Sequence, residues 1–366
     1  MKRYITPLMA GIAMLALILD TRTALSGAEE GLALCIRTII PSLFPFFVLS
    51  ALLTSSMSSF RFRMLRPLGM LCRLPKGSEG LLILGLLGGY PTGAQNIAQN
   101  YEAGCLNIMD ARRLLGFCSN AGPAFLFGIV ASQFPDPKYA WMLWGIHISS
   151  AILTGILLSG KAQAKSSMIH GRILTLPEAM RVGLRNTASV CGWIILFRIL
   201  IGFLENTIGK RMSNETHTIL SGILELSIGC CGLSTIKNIG LRFVLCAVML
   251  GLGGLCVLMQ TLSVTGKLGL GAYIPGKLLQ AVLSFQISYQ VQYFLVPEHL
   301  RLVLPGWVVI GVWFFLFAVK ITVAIRRIMM YNSGKSRNKR SCICFFAKTL
   351  PKPATTVPTV PATKRA

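Results

Sequence analysis

Apolar runs near the length of a membrane span alternate along the chain with short basic connections. They lie at about 5–20, 31–55, 80–99, 114–134, 139–160, 188–204, 217–235, 241–263, 276–296 and 303–325. A helix needs roughly 20 apolar residues to cross the hydrocarbon core, and two of the runs, 80–99 and 217–235, are interrupted or short. The pattern predicts an all-α polytopic membrane protein.

Composition agrees with that reading. Of 366 residues 53% are hydrophobic and 13% charged, with a mean hydropathy of +0.65, too little polar surface for a soluble globule. The formal charge of +24 does not indicate nucleic acid, because the basic residues sit between the apolar runs and after the last one. Arg61, Arg63, Arg66, Arg73 and Lys76 fill one loop, Lys161, Lys165, Arg172, Arg181 and Arg185 another, and the stretch from Arg326 to Arg365 is a basic tail. Lys and Arg accumulate in cytoplasmic loops, so all three are expected inside, touching anionic lipid.

The span count tests this sidedness. With Lys2 and Arg3 inside, the runs 5–20 and 31–55 return the chain to the cytoplasm at the first basic loop. The second loop is also inside only if 80–104 enters and leaves on one face. The same count after 185 leaves 217–235 as a second hairpin, from the opposite face. About eight transmembrane helices plus two re-entrant hairpins are expected. The organisation is a transmembrane helix over 1–25, a first repeat over 26–160, a basic cytoplasmic loop over 161–187, a second repeat over 188–325 and a disordered basic tail over 326–366. The N-terminal run also has signal-peptide features, with "ALSGA" as a cleavage site, and is expected to be retained as the first span.

Within the runs, two segments break. "LGLLGGYPTGAQNIAQN" interrupts an apolar stretch at Gly88 to Gly93, and "FCSNAGPAFLFG" does so at Ser119 to Pro123. Non-helical backbone at membrane depth is tolerated only where protein or a water-filled cavity satisfies its polar groups. A single break is as readily a packing kink; two in one half of the chain point to a binding site. The second half follows the same layout, with Arg37 beside Arg185, Gly89 matching Gly229 and Gly122 matching Gly254. Opposite orientation of the halves gives an inverted repeat of broken helices, a common transporter plan.

The candidate substrate-binding residues are Tyr90, Thr92, Gln95, Asn96, Ser119, Asn120, Arg198 and Gln260. Each neutral one has a helix–helix hydrogen bond as its competing reading. Arg198, deep in "WIILFRILIGFL", suits an anion, since guanidinium pairs bidentately with carboxylate; Arg37 has snorkelling to the interface as its alternative. Glu225 in "ILSGILELSIG" is either the structural partner of Arg198 or a carboxylate that couples transport to an ion. The cysteines and the four histidines show no metal-ligand spacing. His147 is expected to be packed and hydrogen-bonded. No phosphate-binding glycine loop appears, so transport driven by ATP would need another subunit; neither an enzymatic activity nor a cofactor is expected.

The segments "IIPSLFPFFVLSALL", "LGLLGGYPTGA", "FCSNAGPAFLFG", "LEL" followed by "GCCG", and "GLGGLCVLMQ" resemble the YlbJ-like sporulation integral membrane proteins of endospore-forming bacteria, within the nucleoside-recognition or Gate-domain group. The resemblance covers roughly residues 1–325, and makes the two repeats Gate-like. It implies a bacterial membrane protein of the developing spore, located in the mother-cell-derived membrane around the forespore and associated with delivery of dipicolinic acid. Cys230, Cys231 and the basic tail depart from it. Three function classes follow: a transporter of a small anionic solute, a nucleoside-type permease, and a non-transporting envelope-assembly protein. A homo-oligomer stays open.

Overall fold

Capping residues, glycines and prolines decide where the apolar runs become separate helices in the computed structural model, which describes residues 2–57, 66–75, 77–158, 160, 173–209 and 212–315. The chain divides into Met1–Trp313 and Phe314–Ala366, and the helical architecture is that of the first unit. The tail from 326, and Arg61, Arg63, Lys76, Lys161, Lys165 and Arg172 of the basic loops, lie outside the described residues.

Helix α1 spans Lys2–Leu19. Asp20 then accepts from the Thr23 N–H and starts α2, Thr21–Leu34. A π-helical turn, Cys35–Ile39, leads into α3, Ile40–Met57, giving one apolar helix over Thr21–Ser56. Next come α4 (Arg66–Leu71), α5 (Glu79–Leu87), α6 (Thr92–Glu102) and α7 (Ile108–Leu114). The short α8, Pro123–Phe125, continues through a second π-turn, Leu126–Val130, and α9 spans Lys138–Leu157.

Helix α10 covers Leu176–Ile208 and opens with a capping box between Thr175 and Glu178. Residues 176–187, expected in a loop, are therefore helical: the box satisfies free N–H groups at the helix start. Then follow α11 (Asn214–Leu224), α12 (Leu226–Gly232), α13 (Ile239–Leu252), α14 (Gly254–Thr265) and α15 (Tyr273–Leu295). No strand occurs among the described residues. Four helices there are long and apolar enough to cross a membrane: Thr21–Ser56, Lys138–Leu157, Leu176–Thr207 and Ile239–Leu268.

Apart from the short α4, which has no counterpart in the second half, the two halves have a similar element order: a long helix, two broken helix pairs and another long helix. In the first pair of each half the segments fold back on one another, α5 on α6 and α11 on α12; α7 and α8, like α13 and α14, have little mutual contact. Helix α10 lies along α2 and α3, and α15 packs on α13 and α9. The first contact is close because Gly27 and Gly31 of α2 meet the backbone of Ile199 and Ile195, where a Cβ would come within 2.9 and 3.0 Å of their Cα atoms. This is the small-xxx-small spacing that lets membrane helices approach.

Polar contacts near the helix ends fall into two sets. Arg66 bonds Glu79, Arg113 reaches the carbonyls of Cys72 and Arg73, and Arg112 that of Leu268. Separately, Glu30, Arg198, Glu205 and His217 form a chain, Arg242 donates to the Gln133 carbonyl, and Gln292 bonds both backbone groups of Leu302. No contact in either set joins residues that the span count puts on opposite sides.

Candidate functional site

Four interruptions of helix meet in the interior. The first lies between α5 and α6, where Gly89 has φ +72° and the Tyr90–Pro91 peptide is cis. The second is the extended backbone before Pro123, with Gly122 as N-cap. The third is Glu225, extended at φ −139° and ψ 118°, whose carboxylate accepts the Ile228 N–H at 2.7 Å and starts α12. The fourth is the pair Gly253 and Gly254, at φ +79° and +78°, a left-handed conformation that glycine adopts without a steric penalty.

The breaks touch where side chains are absent. A Cβ on Gly122 would lie 3.0 Å from the backbone of Gly89, and one on Gly254 would lie 2.9 Å from the Gly222 carbonyl oxygen. Gly253 has the Tyr90 hydroxyl beside it. Gly88 to Tyr90, Ala121 and Gly122, and Glu225 to Ser227 line a cavity of about 40 Å³ closed by Val257, Gln260, Phe47 and Val190. A water needs about 10–15 Å³ of such space, so the cavity holds a few waters and no larger solute in this conformation.

Beside it is a buried polar cluster. Lys277 of α15 donates to Asn120 Oδ1 at 3.1 Å and Gln280 Oε1 at 2.7 Å. The Gln280 amide donates to Asn120 Oδ1 at 3.0 Å, and the Asn120 amide to the Phe117 carbonyl at 2.7 Å. The ammonium sits 5.2 Å from the centroid of the Tyr90 ring and 5.9 Å from that of Tyr273. His147 accepts the Ala121 N–H at 3.1 Å through Nε2, a packed histidine as its sequence context predicts.

Of the predicted site residues, Tyr90, Glu225 and Gln260 line the cavity, and Asn120 lies in the adjoining cluster. Thr92, Asn96 and Ser119 are buried, each with a side-chain atom lacking a hydrogen-bond partner. Gln95, also on α6, is half-buried. Arg198 is elsewhere. It bonds Glu30 through Nε and Nη2 and Glu205 through Nη1 at 3.0 Å, in an open groove between α2 and α10. The expected Arg198–Glu225 pair is not formed, because Glu30 and Glu205 already neutralise the guanidinium. Arg37, on the first π-turn, is exposed.

Lys277, Tyr273 and Gln280 are the residues that sequence reasoning missed. Lys277 follows Pro275 and Gly276 at the head of an apolar run, where a lysine looks interfacial. Gln280 one turn on was the available signal: a Lys/Gln pair at i, i+3 on one helix face.

No family model matches the chain, and no solved structure does. Among curated proteins the chain is similar to the sporulation integral membrane protein YlbJ of Bacillus subtilis strain 168, 26% identical over 165 residues, which are 43% of this chain and 39% of the relative. The chain thus spans about two fifths of that relative's length. The likeness and the long apolar helices together support an integral membrane protein.

Proposed function

We propose that the protein is a sporulation-associated membrane transporter that moves a small anionic solute, with dipicolinate the candidate, across the membrane surrounding the forespore. The observation that carries this reading is the convergence of three helix breaks on one cavity, with the fourth, at Gly253, against the Tyr90 hydroxyl of its wall, between two halves of similar element order. Irregular backbone at membrane depth is stable where it lines a site, and secondary transporters build theirs from discontinuous helices at a repeat interface. Sporulation enters through the likeness to YlbJ.

Helix pairs that fold back, α5 with α6 and α11 with α12, are the two re-entrant hairpins of the proposal. The two sets of polar contacts favour the span count that makes the hairpins enter from opposite faces. A cavity of about 40 Å³ is then an occluded state, and solute entry requires a hairpin to swing away. The small cavity also favours a second reading, a non-transporting envelope-assembly protein.

The test is uptake of labelled dipicolinate into vesicles containing the purified protein, with uridine as competitor. Saturable uptake that uridine leaves unchanged is expected. Competition by uridine moves the assignment to a nucleoside-type permease, and no uptake by folded protein favours the assembly role.

A further inference from the structure

Lys277 is the only lysine or arginine among the described residues that is fully buried, 2% exposed. Buried charges are normally neutralised by an opposite charge, and two of the three buried carboxylates among the described residues follow that rule: Glu79 pairs with Arg66 and Asp110 with Arg113, whereas Glu225 accepts the Ile228 N–H instead. Lys277 forms no ion pair among the described residues. Its neighbours are two amide oxygens and two tyrosine faces, all neutral. An ammonium has three donors; Asn120 and Gln280 take two.

A second observation points the same way. The hydroxyl of Tyr90 is buried without a hydrogen-bond partner, and that of Tyr273, also buried, has only the Thr261 hydroxyl near it. Both converge on Gly253, at 3.2 and 3.5 Å from where its Cβ would stand. The left-handed break thus leaves a side-chain-free position beside two buried tyrosine hydroxyls and a cation, with Tyr90 also on the cavity wall. A carboxylate is the complement of that set, having four acceptor positions and the missing negative charge.

We infer that Lys277 is a substrate-binding residue: its ammonium, with the Tyr90 and Tyr273 hydroxyls, receives a carboxylate of a small organic anion where the four breaks meet. Asn120 and Gln280 are positioning residues that hold the ammonium while the site is empty. The inference rests on the transport reading and moves its positive charge from Arg198, which is already neutralised, to Lys277.

The experiment compares wild type, Lys277→Gln, Lys277→Arg and Asn120→Asp in vesicle uptake of dipicolinate and in thermal unfolding of the detergent-solubilised protein. Lys277→Gln raises the KM about 100-fold, the size expected for removing one partner of a buried charged contact, without lowering the unfolding temperature. Lys277→Arg retains part of the uptake. Asn120→Asp supplies an internal carboxylate to Lys277, so its fold survives and uptake is lost. The neutral diamide of the same ring does not compete in wild type.

Lys277→Gln and Asn120→Asp proteins that fold and keep the wild-type KM overturn the inference while the transport reading stands. If wild type takes up no dipicolinate, that reading fails, and a panel of small mono- and dicarboxylates in the unfolding assay decides the site. Stabilisation of wild type but not of Lys277→Gln supports the carboxylate site; stabilisation of neither, or of both equally, overturns it.

Discussion

Gly85→Ala and Gly93→Ala test how the first two breaks are held together. Gly85 on α5 and Gly93 on α6 both face the Cys118 carbonyl, which enters the fold of the α5–α6 hairpin. A Cβ on Gly85 would overlap that oxygen and stand 2.6 Å from the carbonyl carbon and 3.0 Å from Cα of Cys118. One on Gly93 would overlap the same oxygen and stand 3.0 Å from Gly85 Cα and 3.1 Å from Ser119 Cα. Carbon atoms pack at roughly 3.5–4.0 Å, so backbone must move by about 1 Å. Overpacking costs about 1–3 kcal/mol, and backbone against backbone belongs at the upper end. Alanine recovers about 0.5–1 kcal/mol of helix propensity, which leaves each single substitution destabilising by about 2 kcal/mol. One displaced carbonyl serves both, so the double variant should cost less than the sum, with a coupling of about 1–2 kcal/mol. Gly145→Ala and Gly192→Ala, with nothing within 4 Å of the new Cβ, are the controls and should be neutral or slightly stabilising. Unfolding in mixed micelles with increasing SDS, followed by far-UV circular dichroism, measures all five. Gly85→Ala and Gly93→Ala as stable as the controls, or strictly additive, would refute the shared-carbonyl account.

Further outcomes can be checked separately. Arg198→Gln leaves Glu30 and Glu205 unneutralised in a partly exposed groove and should cost about 1 kcal/mol while solute uptake persists; abolished uptake would return Arg198 to the site. Asp20, just before α2, has its carboxyl held below the usual value by hydrogen bonds from the side chain and backbone of Thr23. Its contribution is therefore complete above the ordinary carboxylate pKa near 4 and is lost as pH falls through the depressed value; Thr23→Val should move the Asp20 titration, read by NMR, back up. In a cysteine-free background, Ala103→Cys and Lys237→Cys, both exposed, should be labelled from opposite faces of the membrane by an impermeant thiol reagent; labelling from one face would remove the hairpin topology.

The breaks of the first half were legible because they are written in residues with local effects: consecutive glycines, then proline, at Gly88 to Pro91, and proline at the first helical position after Gly122. Gly254 was legible for the same reason. Gly229 was not the break it resembled. It lies inside α12 and allows close approach to Gly222, where its Cβ would overlap the Gly222 backbone, while the interruption falls at Glu225 because a carboxylate can cap a helix. The ion-pair partners of Arg198 were not legible, since Glu30 is remote from it in sequence and only the packing of α2 on α10 brings them together. Lys277 was missed for the converse reason: its burial comes from the Asn120 and Tyr90 segments closing over the start of α15, which no window along α15 contains.

The π-turns Cys35–Ile39 and Leu126–Val130 each close with an N–H bonded five residues back, from Ile40 to Cys35 and from Ala131 to Leu126, and they touch each other. Such a turn is an α-helix carrying one inserted residue, and each residue advances the helix by about 100°. Leu43, Phe46 and Phe47, which line the cavity, therefore owe their facing to that extra residue. Deleting one position within 35–39 would keep the helix continuous yet turn this wall away. Relatives that lack the insertion should align with a single-residue gap there and carry their cavity-lining apolar residues in a shifted frame.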